Sequence, residues 1–261
     1  MLGLFQTMIT FQHSGTLGDL IYSLYMVKKM GGGVYHVALN NIEHCVAQYG
    51  YRPEDVDVQH KGRFTIQDYK WLRPLLKNQS YISDVKPWIE GDQPCDVDLD
   101  KYRGVLYRTF EGNILEAYHR AFNLSFSEQD MQEPWLTADP IKSKPIIISR
   151  SMRYRPPNGD SGWREILKSL PDLMDHAIFV GTIAEHQNFV STFDTAIEYR
   201  PVNDFLELAG LIAGSELVCG NQGFAYSLAV GLGKAAILEM NKIVPKPMNE
   251  CYFPRDNIQY F

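Results

Sequence analysis

The stretch from Asn203 to Met240, NDFLELAGLIAGSELVCGNQGFAYSLAVGLGKAAILEM, limits the possible folds more than any other part of the chain. Phe205, Leu206, Leu208, Ala209, Leu211 and Ile212 recur at helical spacing behind a capping residue at Asn203. Gly214 is placed to end that helix in a left-handed conformation. Glu216 to Cys219 suits a short buried strand. Gly220-Asn221-Gln222-Gly223 then reads as a tight turn, because glycine takes positive φ without a Cβ clash. A second helix follows over Phe224 to Leu232, and a second strand over Lys234 to Met240. Helix, strand, glycine turn, helix, strand is the α/β pattern and implies a parallel sheet. A helix that starts just past a buried strand points free N–H groups and positive partial charge outward, which suits a phosphate. The same two glycines also serve a turn that binds nothing, and the stretch alone does not choose.

Composition narrows the function classes. The net charge of −6 argues against a general nucleic-acid binder, which needs a basic surface. The four cysteines lie far apart with no CxxC pair, so neither a zinc site nor a disulfide framework is expected, and reduced thiols point to a cytoplasmic protein. No apolar run reaches the roughly 18 residues of a membrane span, and the N-terminus lacks the basic region of a signal peptide. A length of 261 residues accommodates one large domain or two modest ones.

In the first half, Thr7 to Gln12 has strand composition. His13-Ser14-Gly15-Thr16-Leu17-Gly18-Asp19 follows as a polar loop, then a helix with Leu20, Leu24 and Val27 on one face, stopped by Gly31-Gly32-Gly33. Val34 to Leu39 is the next strand. Asp19, at the mouth of this β-loop-α-β unit, is a candidate general base; equally, an acid in a first turn complements the helix dipole. His13, at the strand end, is a second polar candidate and can also be a structural histidine. Thr65 to Leu76 reads as a helix interrupted at Pro74, and Tyr81 to Lys86 as a strand that Pro87 confines to an edge. Asp96, Asp98 and Asp100 alternate but lack the glycine and glutamate of a calcium loop, so a solvated turn is expected there. Asn113 to Phe122 is a predicted helix.

In the second half, Pro145 to Ser149 is a continuous apolar run, the mark of a buried parallel strand. Lys142, Lys144, Arg150, Arg153 and Arg155 form an all-cationic segment around it. Arg150 and Arg153 directly follow the strand end, so they are expected to face the same cleft as the Asn221 turn, where guanidinium forks suit phosphate oxygens. A merely solvated basic loop is the alternative. A helix is expected over Gly162 to Leu170 and a strand over Ala177 to Gly181. Thr182 follows, and Glu185 opens a helix, where its carboxylate either binds ribose hydroxyls or caps the helix. Ala196 to Tyr199 is strand-like.

These pieces meet in a resemblance. Gly18-Asp19-Leu20-Ile21, Phe179-Val180-Gly181 with Glu185 behind it, and LAGLIAGSELVCGNQGFAYSLAVGLGKAAI over 208–237 together resemble glycosyltransferase family 9, the family of ADP-heptose:lipopolysaccharide heptosyltransferases. That family usually shows Asp-Ser-Gly or Asp-Thr-Gly, then a His, then Ala-Leu-Gly-Lys-Pro; here Asn221-Gln222-Gly223, Tyr226 and Ala235 stand in their places. The resemblance implies a compact GT-B fold, two Rossmann-like α/β/α domains facing across a cleft. The boundaries expected are an acceptor-side domain over 1–138, a nucleotide-sugar domain over 139–244, and a tail over 245–261 packing back on the first domain. It implies Asp19 as base, with His13 the second catalytic candidate. Ser14, Gly15, Thr16 and Gly18 would form the acceptor loop. Ser149, Arg150, Arg153, Thr182, Glu185, Asn221, Gln222 and Gly223 would hold the donor. No cofactor is implied, and no metal where arginines and a helix terminus neutralise the diphosphate. The substrates would be a nucleotide-diphosphate sugar and an acceptor that is saccharide, lipid, protein or modified nucleic acid. An epimerase or hydrolase on the same fold, or a non-catalytic nucleotide- or sugar-binding relative, are the other readings.

Overall fold

A computed structural model describes residues 8–39, 64–89, 92–106, 112–153, 155, 159–169, 171–240 and 249–261. Thr7, the stretch 50–63 and the start of the tail at 245–248 lie outside the described residues. In chain order the first half contains β1 (Thr10–His13), α1 (Leu17–Lys29), β2 (Gly33–Ala38), α2 (Ile66–Lys77), β3 (Ile82–Trp88), β4 (Val97–Asp98), α3 (Tyr102–Leu106), α4 (Ile114–Ala121) and α5 (Glu128–Gln132). The second half contains β5 (Ile146–Ser149), α6 (Gly159–Ser169), β6 (Ala177–Phe179), α7 (Ile183–Phe193), β7 (Glu198–Tyr199), α8 (Phe205–Gly214), β8 (Leu217–Asn221), α9 (Phe224–Gly231), β9 (Ala235–Glu239) and β10 (Ile258–Tyr260).

The strands form two sheets, a four-stranded one ordered β3-β2-β1-β4 and a six-stranded one ordered β10-β9-β8-β5-β6-β7. Every pairing among the described residues is parallel. The chain is therefore α/β with two parallel sheets, as expected, and β3 carries Pro87 at an edge where its missing N–H costs no ladder bond. Among the described residues no helix is long and apolar enough to cross a membrane.

The two halves share one core. Buried Leu20, Tyr22, Leu24 and Met26 of α1 belong to the same apolar cluster as Ala225, Leu228 and Ala229 of α9. Trp71 of α2 meets Phe205 of α8 edge-on, with ring centroids 5.4 Å apart. Gly18 permits the close approach of α1 and α9, since a Cβ there would lie 3.0 Å from Ser227 Oγ. A second cluster, around Ile148, Trp163, Phe179 and Phe189, covers the far face of the larger sheet. The cleft between the halves is thus closed at its base by helix packing.

Several local expectations change. The α8 cap is Asp204, whose side chain accepts from Glu207 N at 2.8 Å, not its neighbour Asn203. Gly214 is the last helical residue and has no positive φ; it is glycine because a Cβ would strike the Ile141 carbonyl. Gly220 is likewise a close-approach glycine, set against the Ser149 carbonyl oxygen of the adjacent strand, and not a positive-φ turn residue. The tail contacts the first half through Phe253, which stacks on Tyr22, and Arg255, which donates to Glu133 O. Its end does something the sequence does not announce: β10 adds an edge strand to the larger sheet beside β9.

Candidate active site

A cleft of about 310 Å³ opens at the carboxyl ends of both sheets. One wall is the β1–α1 junction. Thr16 is the N-cap of α1, so Gly18 and Asp19 fall in its first turn and Asp19 reaches the cleft. The opposite wall is built from Ser151 and Arg153 after β5, Glu185 in α7, and Gly223 with Phe224 at the start of α9. Glu250 and Cys251 of the tail complete the lining.

Asp19 is held by residues behind it. Arg103 Nη2 donates to Asp19 Oδ2 at 3.0 Å, and Arg103 Nε to Asp100 Oδ1 at 3.3 Å. Asp100 is fully buried and accepts from Ser14 N at 2.9 Å and from the Ser14 hydroxyl. Burial works to raise its carboxyl, but His13, Arg103 and the Ser14 bonds hold it below the ordinary aspartate range. The expected solvated turn around Asp100 is thus a buried anchor. Gly15 is glycine because a Cβ there would collide with the Arg103 guanidinium and the His13 ring.

His13 stands behind this group and does not line the cleft. It is fully buried, and burial pushes its pKa down, chiefly offset by Asp100. Gly15 N donates to its Nδ1 at 3.0 Å, which leaves the proton on Nε2, 3.2 Å from Tyr118 Oη; Tyr118 in turn donates to the Asp19 carbonyl at 3.3 Å. His13, expected as the second catalytic candidate, thus lies behind the turn that presents Asp19 and outside the cleft lining. Of the expected acceptor loop, Thr16 and Gly18 line the cleft, while Ser14 and Gly15 serve the buried anchor.

On the donor side, Arg153 lines the cleft and Arg150 does not. Arg150 is 1% exposed. Its Nε and Nη2 each meet a Glu239 carboxylate oxygen at 2.7 Å, and Nη2 also meets Asp160. Trp163 Nε1 donates to the same Glu239 at 2.9 Å. The guanidinium carbon sits 5.2 Å from the Phe193 ring centroid. Arg150 is committed to the core of the larger sheet, where a buried cation needs a buried partner and Glu239 supplies it. Ser149 ends β5 without reaching the cleft lining; Ser151 takes that place. Glu185 Oε2 accepts from Thr182 N at 2.8 Å and Thr182 Oγ1 at 2.9 Å in a capping box, while Glu185 still faces the cleft. Gly223, in extended conformation (φ −151°, ψ −176°), is the N-cap of α9 with no side chain to cap it, and with Phe224 it sets the start of that helix on the cleft lining.

No protein-family model matches the chain, and no curated protein does. Solved structures do. A glycosyltransferase family 9 protein from Veillonella parvula DSM 2008 superposes with a TM-score of 0.59 at 10% identity, over 97% of this chain and 86% of that one. The E. coli ADP-heptose lipopolysaccharide heptosyltransferase II superposes with a TM-score of 0.50 at 10% identity, over 98% of this chain and 90% of that one. The chain shares the fold of these two solved proteins. At such identity the likeness concerns the fold, and the residues carry the rest.

Against the family 9 pattern, the Asn221 departure has a local reason. Asn221 is 2% exposed. Its Oδ1 accepts from Ser151 N at 2.9 Å, and its Nδ2 donates to the carbonyls of Ser151 at 3.0 Å and Arg153 at 2.7 Å. A carboxylate cannot make the last two bonds. Asn221 therefore does not reach toward a ligand; it pins the loop that carries Arg153. Gln222 similarly turns inward, donating to Asn249 Oδ1 at 2.9 Å and tying the tail to the α9 turn. Arg103, Asp100 and Glu250 are the site residues that sequence reasoning misses. Only the alternation Asp96-x-Asp98-x-Asp100 carries a signal, and it reads as a solvated turn.

Proposed function

We propose that this protein is a glycosyltransferase moving a sugar from a nucleotide-diphosphate donor to an acceptor hydroxyl, by inverting, metal-independent displacement. One observation carries the reading: Asp19, Arg153 and the start of α9 at Gly223 and Phe224 line a single cleft. Asp19 takes the acceptor proton as the acceptor oxygen attacks the anomeric carbon, and the bond from that carbon to the diphosphate breaks. Attack from the face opposite the leaving group inverts the centre. Charge developing on the leaving nucleoside diphosphate meets Arg153 and the N–H groups after Gly223. Because a solved neighbour is named for ADP-heptose, ADP and ADP-sugars are the first donors to test.

The test is thermal stabilisation by nucleoside diphosphates with and without EDTA, followed by transfer to a saccharide acceptor. A shift with one diphosphate, insensitive to EDTA, supports the reading; no shift with any of them overturns it. Arg153→Ala is expected to weaken that binding about 10- to 100-fold, the value of a charge-assisted contact, read by calorimetric titration.

Two glycines separate site from scaffold. A Cβ on Gly223 would meet nothing closer than 3.7 Å, so Gly223→Ala is expected to fold with a loss of at most about 1 kcal/mol from the poorer cap, while its methyl obstructs the helix terminus and lowers diphosphate affinity. Gly220→Ala drives a Cβ into the Ser149 carbonyl and is expected to abolish folding. Melting curves beside binding isotherms for the two variants check both.

A further inference from the structure

Three carboxylates line the cleft: Asp19, Glu185 and Glu250. Asp19 is paired with Arg103 and Glu185 is occupied by its capping box. Among the described residues, no group hydrogen-bonds or ion-pairs the Glu250 carboxylate. It is nevertheless firmly placed. Ile114 N donates to the Glu250 carbonyl at 3.0 Å, tying it to α4 of the first half. On either side of it, Asn249 holds Gln222 of the α9 turn, and Tyr226 Oη donates to Cys251 O at 2.9 Å. An acid fixed this rigidly to both halves, facing a cleft with its oxygens unengaged, is set up for a ligand.

A second group points the same way. Tyr22 of α1 also lines the cleft, and it is 2% exposed. Its hydroxyl is buried and makes no hydrogen bond of good geometry among the described residues, with only weak contacts to Ser227 and Cys251. A buried hydroxyl left open is costly unless something arrives to satisfy it. Tyr22 and Asp19 are one helical turn apart on α1, so the two share a face.

We infer that Glu250 and Tyr22 form an acceptor subsite, which hydrogen-bonds a saccharide hydroxyl neighbouring the one that Asp19 deprotonates. The sugar is the chemistry that fits: two carboxylates and a phenol on one wall accept from and donate to adjacent hydroxyls. The assignment rests on the glycosyltransferase reading for the identity of the second substrate. Its protonation state follows from its surroundings. Burial, then the Asp19 charge, push the Glu250 carboxyl up to about 7 against the pull of Arg103. The groups facing it are Asp19 and Tyr22 from α1, Arg103 from α3, Arg153 and Glu185 across the cleft, and Cys251 beside it. The protonated form both donates to a hydroxyl and spares the incipient alkoxide a second negative neighbour, so transfer should decline as pH rises past about 7.

The experiment uses the full chain and three variants, Glu250→Ala, Glu250→Gln and Tyr22→Phe. The probes are ADP for the donor side and methyl β-glucoside, methyl β-galactoside and methyl α-mannoside for the acceptor side, with binding, melting temperature and the pH profile of transfer as readouts. Tyr22→Phe removes a buried hydroxyl with only weak contacts to Ser227 and Cys251 and should melt close to wild type. Glu250→Gln should not melt lower at neutral pH either, since the ionised form is the one that burial penalises. Glycoside affinity should fall about tenfold or more in Glu250→Ala and Tyr22→Phe with ADP affinity unchanged, and Glu250→Gln should lose less glycoside affinity than Glu250→Ala while its transfer rate no longer declines at alkaline pH. Unchanged glycoside affinity, an equal loss of ADP and glycoside binding, or a wild type that binds no glycoside would each overturn the subsite. A wild type that binds glycosides through Glu250 yet never transfers sugar would sustain the subsite and overturn the transferase reading.

Discussion

Asp19→Asn is expected to lower sugar transfer about 10²- to 10⁴-fold, the usual worth of a positioned general base, while ADP affinity stays within about twofold. The separation follows from the geometry. Asp19 sits on the β1–α1 wall, and the diphosphate is expected against Arg153 and the start of α9 on the other. The amide is isosteric, but one of its ends is a donor. With Arg103 holding the amide oxygen, the remaining NH₂ can bind an acceptor hydroxyl yet cannot take its proton. The Arg103 bond also means that the substitution removes one partner of a half-buried ion pair, so a modest drop in melting temperature accompanies the lost rate. Steady-state transfer assays beside ADP titrations check this. Parallel loss of transfer and ADP binding would reassign Asp19 from base to scaffold, and unimpaired transfer would remove it from the mechanism.

How much of this was legible in the sequence depends on where each residue sits. The alternation of strands and helices, and the junctions that hold Asp19 and Gly223, are local patterns, so the periodicity places them. Side-chain destination is not local. Arg150 and Arg153 follow the same strand end, and nothing in the segment distinguishes them; the difference is made by Glu239, 89 positions further on, which takes Arg150 into the core. The Asp-to-Asn departure at 221 reads as a lost charge in the sequence, whereas its reason is a pair of carbonyls on 151 and 153 that only the folded loop supplies. Gly214 and Gly220 look like turn glycines, yet they are required by backbone approaching from Ile141 and Ser149. Glu250 lies in a segment with no period at all. It reaches the cleft because the tail returns to join the larger sheet, a pairing between Ile258 and Ala236 that no short-range signal encodes.

Arg150→Met is expected to destabilise the protein by about 3–5 kcal/mol, because it strands the Glu239 carboxylate in the core. Both partners of that pair are fully buried, with N–O distances of 2.7 Å. Trp163 adds a neutral donor, but cannot balance the charge. For a chain of this size such a loss lowers the melting temperature by roughly 10 °C. The Asp160 contact contributes little to the expectation, since its side chain is 54% exposed and screened by solvent. The sharper test is the double variant Arg150→Met, Glu239→Leu. Removing both charges replaces a desolvated ion pair with apolar volume, which is often neutral or better, so the double variant should recover most of what the single one loses, less the bond to Trp163. Urea midpoints for the wild type, both single variants and the double give the coupling directly. ADP affinity of the folded double variant should match the wild type, in contrast to Arg153→Ala. A double variant that folds normally but no longer binds ADP would return Arg150 to the donor site.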